Sequence, residues 1–231
     1  MKRYLVILIN KLLIALKLGR VKQKQNKYWG GLTKTEIRSL FIYEKFLETK
    51  DIPGDIVECG VGSGGSIIFL KSLQREKKDN RKIWGFDSFE GFPKGTDKDS
   101  EAFRAHGRPS YAKYTTLDHV LNNFKESGLS NEEIDSIKLI KGWMPNSFDS
   151  YDNSSISLLN VDVDLYQSTK DCLNKFWQLM SPGGIVLLDE YNFSNDALKW
   201  PGAKIAVDEF CEENSTEVII HYTGRGYLQK K

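Results

Sequence analysis

The sequence predicts an α/β fold: a doubly wound, mostly parallel sheet of seven strands that finishes in a C-terminal antiparallel hairpin. Three observations predict it. Short apolar segments alternate with amphipathic helical segments five times, the pattern of a parallel sheet with helices on both faces. The first strand runs into the glycine turn Gly60-Val61-Gly62-Ser63-Gly64-Gly65, which opens a helix. The last two apolar segments are joined by the tight turn Gly224-Arg225-Gly226. A chain of 231 residues, 40% hydrophobic and 28% charged, can bury the core of one such domain.

Residues 1–27 stand apart from this pattern and are read as a basic, apolar helix or extension, with the main domain over 28–231. Leu5–Ile9 and Leu12–Leu16 are apolar, but Asn10-Lys11 interrupts them, so the segment is too short and broken to span a bilayer. On a helix, Arg3, Asn10 and Lys17 fall on one line, and there is no acid in the segment. Two readings remain open: a helix packed on the domain or on a second copy of the chain in a homo-oligomer, and an interfacial helix on anionic lipid through residues 1–20. A secretory signal is disfavoured because no small-residue cleavage site follows.

Thr33-x-x-Glu36 is a capping box, and Ile37, Leu40, Phe41 and Leu47 give one helical face up to about Lys50. The stretch from Asp55 to Ser66 reads as a short buried strand, to which Ile56 and Val57 are suited, then the glycine turn, with a helix over about 66–78. Lys82–Asp87 is the second strand. Ser88–Tyr114, with Gly91, Pro93, Gly95, Gly107 and Pro109, is a long loop read as a substrate-side lid. Leu117, Val120, Leu121 and Phe124 mark a helix, Ser130-x-x-Glu133 a short capped turn, and Ile137–Lys141 the third strand. Trp143 follows, placed either to stack on a flat ligand or to fill core. Ile156–Val163 is the fourth strand. Cys172, Leu173, Phe176 and Met180 mark the next helix, which Ser181-Pro182-Gly183-Gly184 is expected to end. Ile185–Leu188 is the fifth strand, and a helix over about 202–213 precedes hairpin strands at Glu217–Tyr222 and from Tyr227.

Ligands of open parallel sheets bind beyond the carboxyl ends of the strands. Glu58, Asp87, Trp143, Asp162, Asp164, Asp189 and Glu190 all fall there. Four carboxylates at the ends of two neighbouring strands repel one another unless a cation sits among them. An all-oxygen set without histidine suits magnesium or calcium rather than zinc or iron. Cys59, Cys172 and Cys211 form no C-x-x-C pair, which fits a reducing cytoplasm. The net charge of +2 offers no phosphate-neutralising surface, so no nucleic-acid partner is expected. The glycine turn itself fits two templates. Gly60, Gly62 and Gly65 match the dinucleotide fingerprint G-x-G-x-x-G. Glu58, Gly60, Gly62 and Gly64 match E-x-G-x-G-x-G, which resembles the S-adenosylmethionine loop of class I methyltransferases.

The run Asp162-Val163-Asp164-Leu165-Tyr166-Gln167-Ser168-Thr169, then Pro182-Gly183-Gly184 and Asp189-Glu190-Tyr191, resembles the macrocin O-methyltransferase family, whose members methylate sugar hydroxyls of macrolide and aminocoumarin antibiotics. Val57-Glu58-Cys59-Gly60-Val61, Asp87-Ser88-Phe89-Glu90-Gly91-Phe92-Pro93, Gly142-Trp143 and Ala203–Phe210 extend the resemblance over about 52–230. It implies a class I, Rossmann-like domain that uses S-adenosylmethionine and Mg2+ to methylate a sugar hydroxyl of a glycosylated metabolite, polysaccharide or glycolipid. The implied donor contacts are Glu58, Gly60, Val61, Gly62, Ser63, Gly64, Ser66, Asp87, Ser88, Gly142 and Trp143. The implied metal ligands are Asp162, Asp189 and Glu190, with Asp164 as general base. One departure is visible: the family usually has two aspartates where this chain has Asp189-Glu190. The rival readings are an NAD-dependent oxidoreductase, which lacks a Tyr-x-x-x-Lys or catalytic histidine, and a non-catalytic donor-binding scaffold held at a membrane by residues 1–27. A cytoplasmic enzyme is expected, with peripheral contact at the inner face of the membrane as the lipid-binding alternative.

Overall fold

The computed structural model describes residues 32–101, 115–191 and 200–231. The expected extension over 1–27, with its lipid and subunit contacts, lies outside the described residues, as does the part of the expected lid over 102–114. Among the described residues no helix is long and apolar enough to cross a membrane. The chain divides into two compact units, Met1–Phe41 and Ile42–Lys231. The described part of the first is the start of a helix, α1 (Lys34–Thr49). It opens on the expected capping box: the Thr33 N–H donates to Glu36 Oε2 at 2.6 Å and the Glu36 N–H to Thr33 Oγ1 at 3.1 Å.

The second unit is built on strands β1 (Asp55–Cys59), β2 (Ile83–Asp87), β3 (Ile137–Lys141), β4 (Ile156–Val161), β5 (Met180–Leu188), β6 (Ile219–Ile220) and β7 (Gly226–Gln229). Their order across the sheet is β3-β2-β1-β4-β5-β7-β6. The first five run parallel, and β7 is antiparallel to both β5 and β6. The direction of the sheet order reverses between β1 and β4, the switch point where ligands of such sheets bind. Helices α2 (Gly65–Lys77), α3 (Leu117–Glu126), α4 (Asn131–Asp135), α5 (Tyr166–Phe176) and α6 (Pro201–Glu213) complete the unit.

β1 is buried at all five positions because it has strands on both edges and side chains packed on both faces. One face carries an aromatic cluster: Phe86, Phe148 and Phe176 meet edge-on or tilted, with centroids 4.8–5.6 Å apart, and Trp84 stands edge-on to Tyr151 at 5.0 Å. The Trp84 indole N–H is satisfied by Asp55 Oδ2 at 2.9 Å.

Three strands differ most from the sequence reading: β4 ends at Val161, not Val163, because the chain turns at the acid run, and β5 and β6 also change. β5 begins at Met180, not Ile185, and takes in Ser181-Pro182-Gly183-Gly184. Met180 pairs with Ile156, the register shifts before Leu158 pairs with Ile185, and Gly183 adopts φ +82° in between. The Pro-Gly-Gly run is therefore an irregularity within the strand, where proline and glycine are tolerated, and α5 ends before it. The expected strand at Glu217–Tyr222 shrinks to Ile219–Ile220 because His221 turns the chain: its N–H donates to Arg225 O and its own carbonyl accepts from Gly224 N–H, both at 2.8 Å. The loop after β2 has no helix between 88 and 100.

Where β1 ends, Gly60 has φ +89°, and a Cβ there would overlap the carbonyl of Asp162. Gly62 has φ +55° but open space around it. Gly60→Ala is therefore expected to destabilise the protein by at least about 3 kcal/mol, from left-handed strain plus the clash. Gly62→Ala is expected to cost only about 1 kcal/mol. Urea unfolding of the two variants checks the contrast.

Candidate active site

The site is assembled at the carboxyl ends of β1, β2, β4 and β5. Strand pairing carries past the strand ends and fixes their relative height: Gly60 N–H donates to Phe86 O at 2.8 Å, Asp162 N–H to Cys59 O at 2.9 Å and Asp189 N–H to Val161 O at 3.1 Å. The segment from Gly60 to Gly64 turns tightly, with Gly64 at φ +87° immediately before α2. Asp87 ties this turn to the next strand. Its Oδ2 accepts the Gly62 N–H at 2.9 Å and its Oδ1 the Phe89 N–H at 2.7 Å. Burial raises the Asp87 carboxyl above its ordinary range, against the backbone N–H groups that favour its charge. A carboxylate has about four lone-pair sites, so bonding these two amides still leaves capacity for a ligand hydroxyl.

Glu58 is almost fully buried and accepts from Asn160 Nδ2 at 2.7 Å. Val61 is buried, and the Ser63 carbonyl accepts from Asn123 Nδ2 at 3.0 Å, pinning the turn to α3. Ser66 sits in the first turn of α2 and is half-buried. Ser88 is buried and donates to Gly91 O at 2.9 Å, shaping the loop after β2. Gly142, at the end of β3, donates its N–H to Asp87 O at 2.9 Å. Trp143 beside it is 41% exposed, too open for a core side chain.

The acids divide. Asp162, Asp164 and Glu190 each offer one carboxylate oxygen, and these oxygens lie within 4.8 Å of one another. An octahedral Mg2+ with oxygens at about 2.0–2.1 Å needs its ligand atoms roughly 3–4 Å apart, so these residues fit such an ion with small adjustments. Glu190 is buried, and that burial pushes its carboxyl well above the usual range. The charges of Asp162, Asp164 and Asp189, and a hydrogen bond with Asp162, push in the same direction. A divalent cation would offset each of these except the burial itself. Asp189 faces a different partner. Its Oδ1 and its carbonyl both accept from Arg225 Nη1, at 2.7 and 3.0 Å. Arg225 is itself buried in the hairpin turn.

Sequence reasoning missed three residues here. Asn160 was detectable as an amide inside the apolar run of β4. Arg225 lay between two glycines in a turn, with nothing in its spacing to join it to Asp189. Asp99, in the loop after β2, accepts the Tyr166 N–H at 2.9 Å, a contact across 67 residues that no local pattern encodes.

Comparison with known proteins agrees with this geometry. Over its full length the chain superposes on the O-methyltransferase NovP, with a TM-score of 0.72 at 24% identity and complete coverage of both chains. It also resembles the calicheamicin methyltransferase CalS11, with a TM-score of 0.64 at 25% identity over 86% of this chain and 80% of that one. In sequence it is 35% identical over 144 residues to the 8-demethyl-8-(2,3-dimethoxy-alpha-L-rhamnosyl)-tetracenomycin-C 4'-O-methyltransferase of Streptomyces olivaceus, covering 61% of this chain and 54% of the relative. It is 30% identical over 175 residues to the mycinamicin III 3''-O-methyltransferase of Micromonospora griseorubida, covering 73% and 65%. The matched stretches thus span between about half and two thirds of these relatives' own length. The model of the macrocin-O-methyltransferase (TylF) family matches residues 37–222, and the chain belongs to that family.

Proposed function

We propose that the protein transfers a methyl group from S-adenosylmethionine to a hydroxyl of a sugar, with Mg2+ held in the acid cluster. The observation that carries the reading is one rim of the sheet with two halves: a glycine turn anchored by Asp87, and beside it the convergent oxygens of Asp162, Asp164 and Glu190. Family membership supports the reaction class. The relatives' names, a rhamnosyl tetracenomycin and mycinamicin III, support a sugar on a glycosylated metabolite as acceptor. A polysaccharide or glycolipid presents the same chemistry.

In this reading the turn from Gly60 to Gly64 lies against the donor, with Gly62, which has open space around it, as the point of closest approach. Asp87 keeps that backbone in place and offers acceptor capacity for ribose hydroxyls, and Trp143 offers an aromatic face to adenine. Glu58, held by Asn160, fixes the start of the turn. The acids at the rim attract a sulfonium cation rather than repelling it. Asp162 and Glu190 would hold the metal, and Asp164, whose carboxylate reaches the same group of oxygens, would stand beside it. Asp189, expected from the sequence as a ligand, is outside that group and is bonded to Arg225 instead. When bound, the ion lowers the pKa of a sugar hydroxyl and fixes its direction, and the donor supplies the methyl group. Asp164 takes the hydroxyl proton as the oxygen attacks the methyl carbon, and the methyl–sulfur bond breaks with its electron pair left on the sulfur of S-adenosylhomocysteine. Glu190 serves where the family usually has aspartate: its longer side chain reaches inward from a buried position to the same group of oxygens.

Calorimetry is expected to give micromolar binding of S-adenosylhomocysteine and none of NAD; the reverse would return the glycine turn to the dehydrogenases. Trp143→Ala is expected to weaken S-adenosylhomocysteine binding about tenfold, the loss of about 1–3 kcal/mol of stacking on one base. Asp162→Asn is expected to abolish Mg2+ binding while leaving S-adenosylhomocysteine affinity within about twofold. Asp164→Asn is expected to lower turnover of a rhamnosyl glycoside about 10²–10⁴-fold, the range of general base catalysis. Full turnover of both variants in EDTA would rule the metal mechanism out.

A further inference from the structure

Helix α5 begins directly behind the acid run, and the residue at its cap position is Leu165, which has no side-chain acceptor for the helix's first N–H groups. Leu165 is instead buried against Trp200, Ala203 and Phe92. The acceptor comes from the loop after β2. Asp99, only 4% exposed, takes the Tyr166 N–H on Oδ1 at 2.9 Å, and its Oδ2 takes the Thr96 N–H at 2.7 Å and the Thr96 hydroxyl at 3.0 Å. The carboxylate also fits against α6, where a Cβ on Gly202 would overlap Asp99 Oδ1. Next to it, Lys98 Nζ bonds the Tyr166 hydroxyl at 2.9 Å and Glu209 at 2.5 Å, and lies 4.0 Å from the centre of the Tyr166 ring.

Asp164 stands two residues before Tyr166 and has φ +62°, a left-handed conformation that is unfavourable for a residue with a Cβ. The chain around it is folded tightly, with the Leu165 N–H donating to Val163 O at 2.6 Å. Such a conformation persists only where its surroundings fix it on both sides. On one side it is fixed by β4, through Asp162 N–H to Cys59 O. On the other side stands the start of α5, whose first N–H group is held by Asp99.

We propose that Asp99 is a positioning residue for the acid site. By capping α5 from the loop after β2, it holds the Val163–Tyr166 turn and so keeps Asp164 in the left-handed conformation that brings its carboxylate to Asp162 and Glu190. This rests on the reading of that cluster as a metal and proton-accepting site. It also gives the 88–101 loop a definite task, which is to fix the geometry of the acids from outside.

The test uses the whole protein with Asp99→Ala, Asp99→Asn and Gly202→Ala. Two quantities are read: the affinity for Mg2+ by calorimetry with S-adenosylhomocysteine saturating, and hydrogen–deuterium exchange of the peptide over 163–169. Asp99→Ala is expected to weaken Mg2+ binding about tenfold or more, the range seen when a group orienting a metal ligand is lost, and to speed exchange over 163–169, with S-adenosylhomocysteine affinity unchanged. Asp99→Asn keeps an acceptor for the Tyr166 N–H and is expected to stay within about threefold of wild type. Gly202→Ala presses on both Asp99 Oδ1 and Tyr166 Cβ, so it disturbs the same junction without removing the carboxylate and should reproduce the alanine phenotype. If Asp99→Ala does not fold, a folded Gly202→Ala protein with Mg2+ affinity and exchange both unchanged overturns the proposal. A folded Asp99→Ala protein with wild-type Mg2+ affinity, or with unchanged exchange, overturns the proposal. A wild-type protein that binds S-adenosylhomocysteine but no Mg2+ overturns the metal reading instead, and the exchange measurement alone then decides on Asp99.

Discussion

The contact on which the site depends is the approach of Gly60 to the carbonyl of Asp162. β1 and β4 are neighbours, and where both strands end the chain of one would collide with the other if position 60 carried a side chain. Glycine removes the collision, and the Asp162 N–H then bonds Cys59 O. The glycine turn and the carboxylate cluster are thereby brought side by side at the switch point of the sheet. In a reaction whose barrier falls chiefly through alignment, that adjacency matters more than any single side chain around it.

Electrostatics sets the second constraint. Four carboxylates at two adjacent strand ends cannot all be ionised cheaply in a partly buried rim. The structure relieves this in two ways. Arg225 neutralises Asp189 through a charge-assisted bond, and Glu190, the most buried of the four, is driven toward its protonated form in the absence of a cation. The remaining charge is concentrated on oxygens that converge on one point. A hard divalent ion suits that point better than a monovalent one, because it meets several carboxylates at once.

Much of this was legible in the sequence, and the reasons are local. Strand ends are marked by a change from apolar to acidic residues, so Glu58, Asp87, Asp162 and Asp189 could be placed on one rim before any coordinates. The capping boxes at Thr33 and Ser130 are four-residue patterns and formed as read. What escaped depends on separations that no window spans. Arg225 meets Asp189 across 36 residues and Asp99 meets Tyr166 across 67. Pro182-Gly183-Gly184 misled because the same residues that end helices also mark strand irregularities, and only pairing with Ile156 distinguishes the two. The short β6 has the same origin: the turn is closed by His221, which pairs with Glu44 of α1 at 2.9 Å and with Thr223 at 2.8 Å, contacts made only in the folded chain.

The order of strands has a consequence for how the protein comes into being. β7 lies between β5 and β6, yet it is the last of the three to be synthesised. Until β7 pairs with it, β5 presents a bare row of backbone donors and acceptors, the kind of edge that recruits other chains. Asp189 meanwhile lacks the guanidinium that will neutralise it. The acid cluster and the sheet edge are completed together, when the turn carrying Arg225 arrives. One hairpin therefore closes both the open edge of the sheet and the open charge of Asp189.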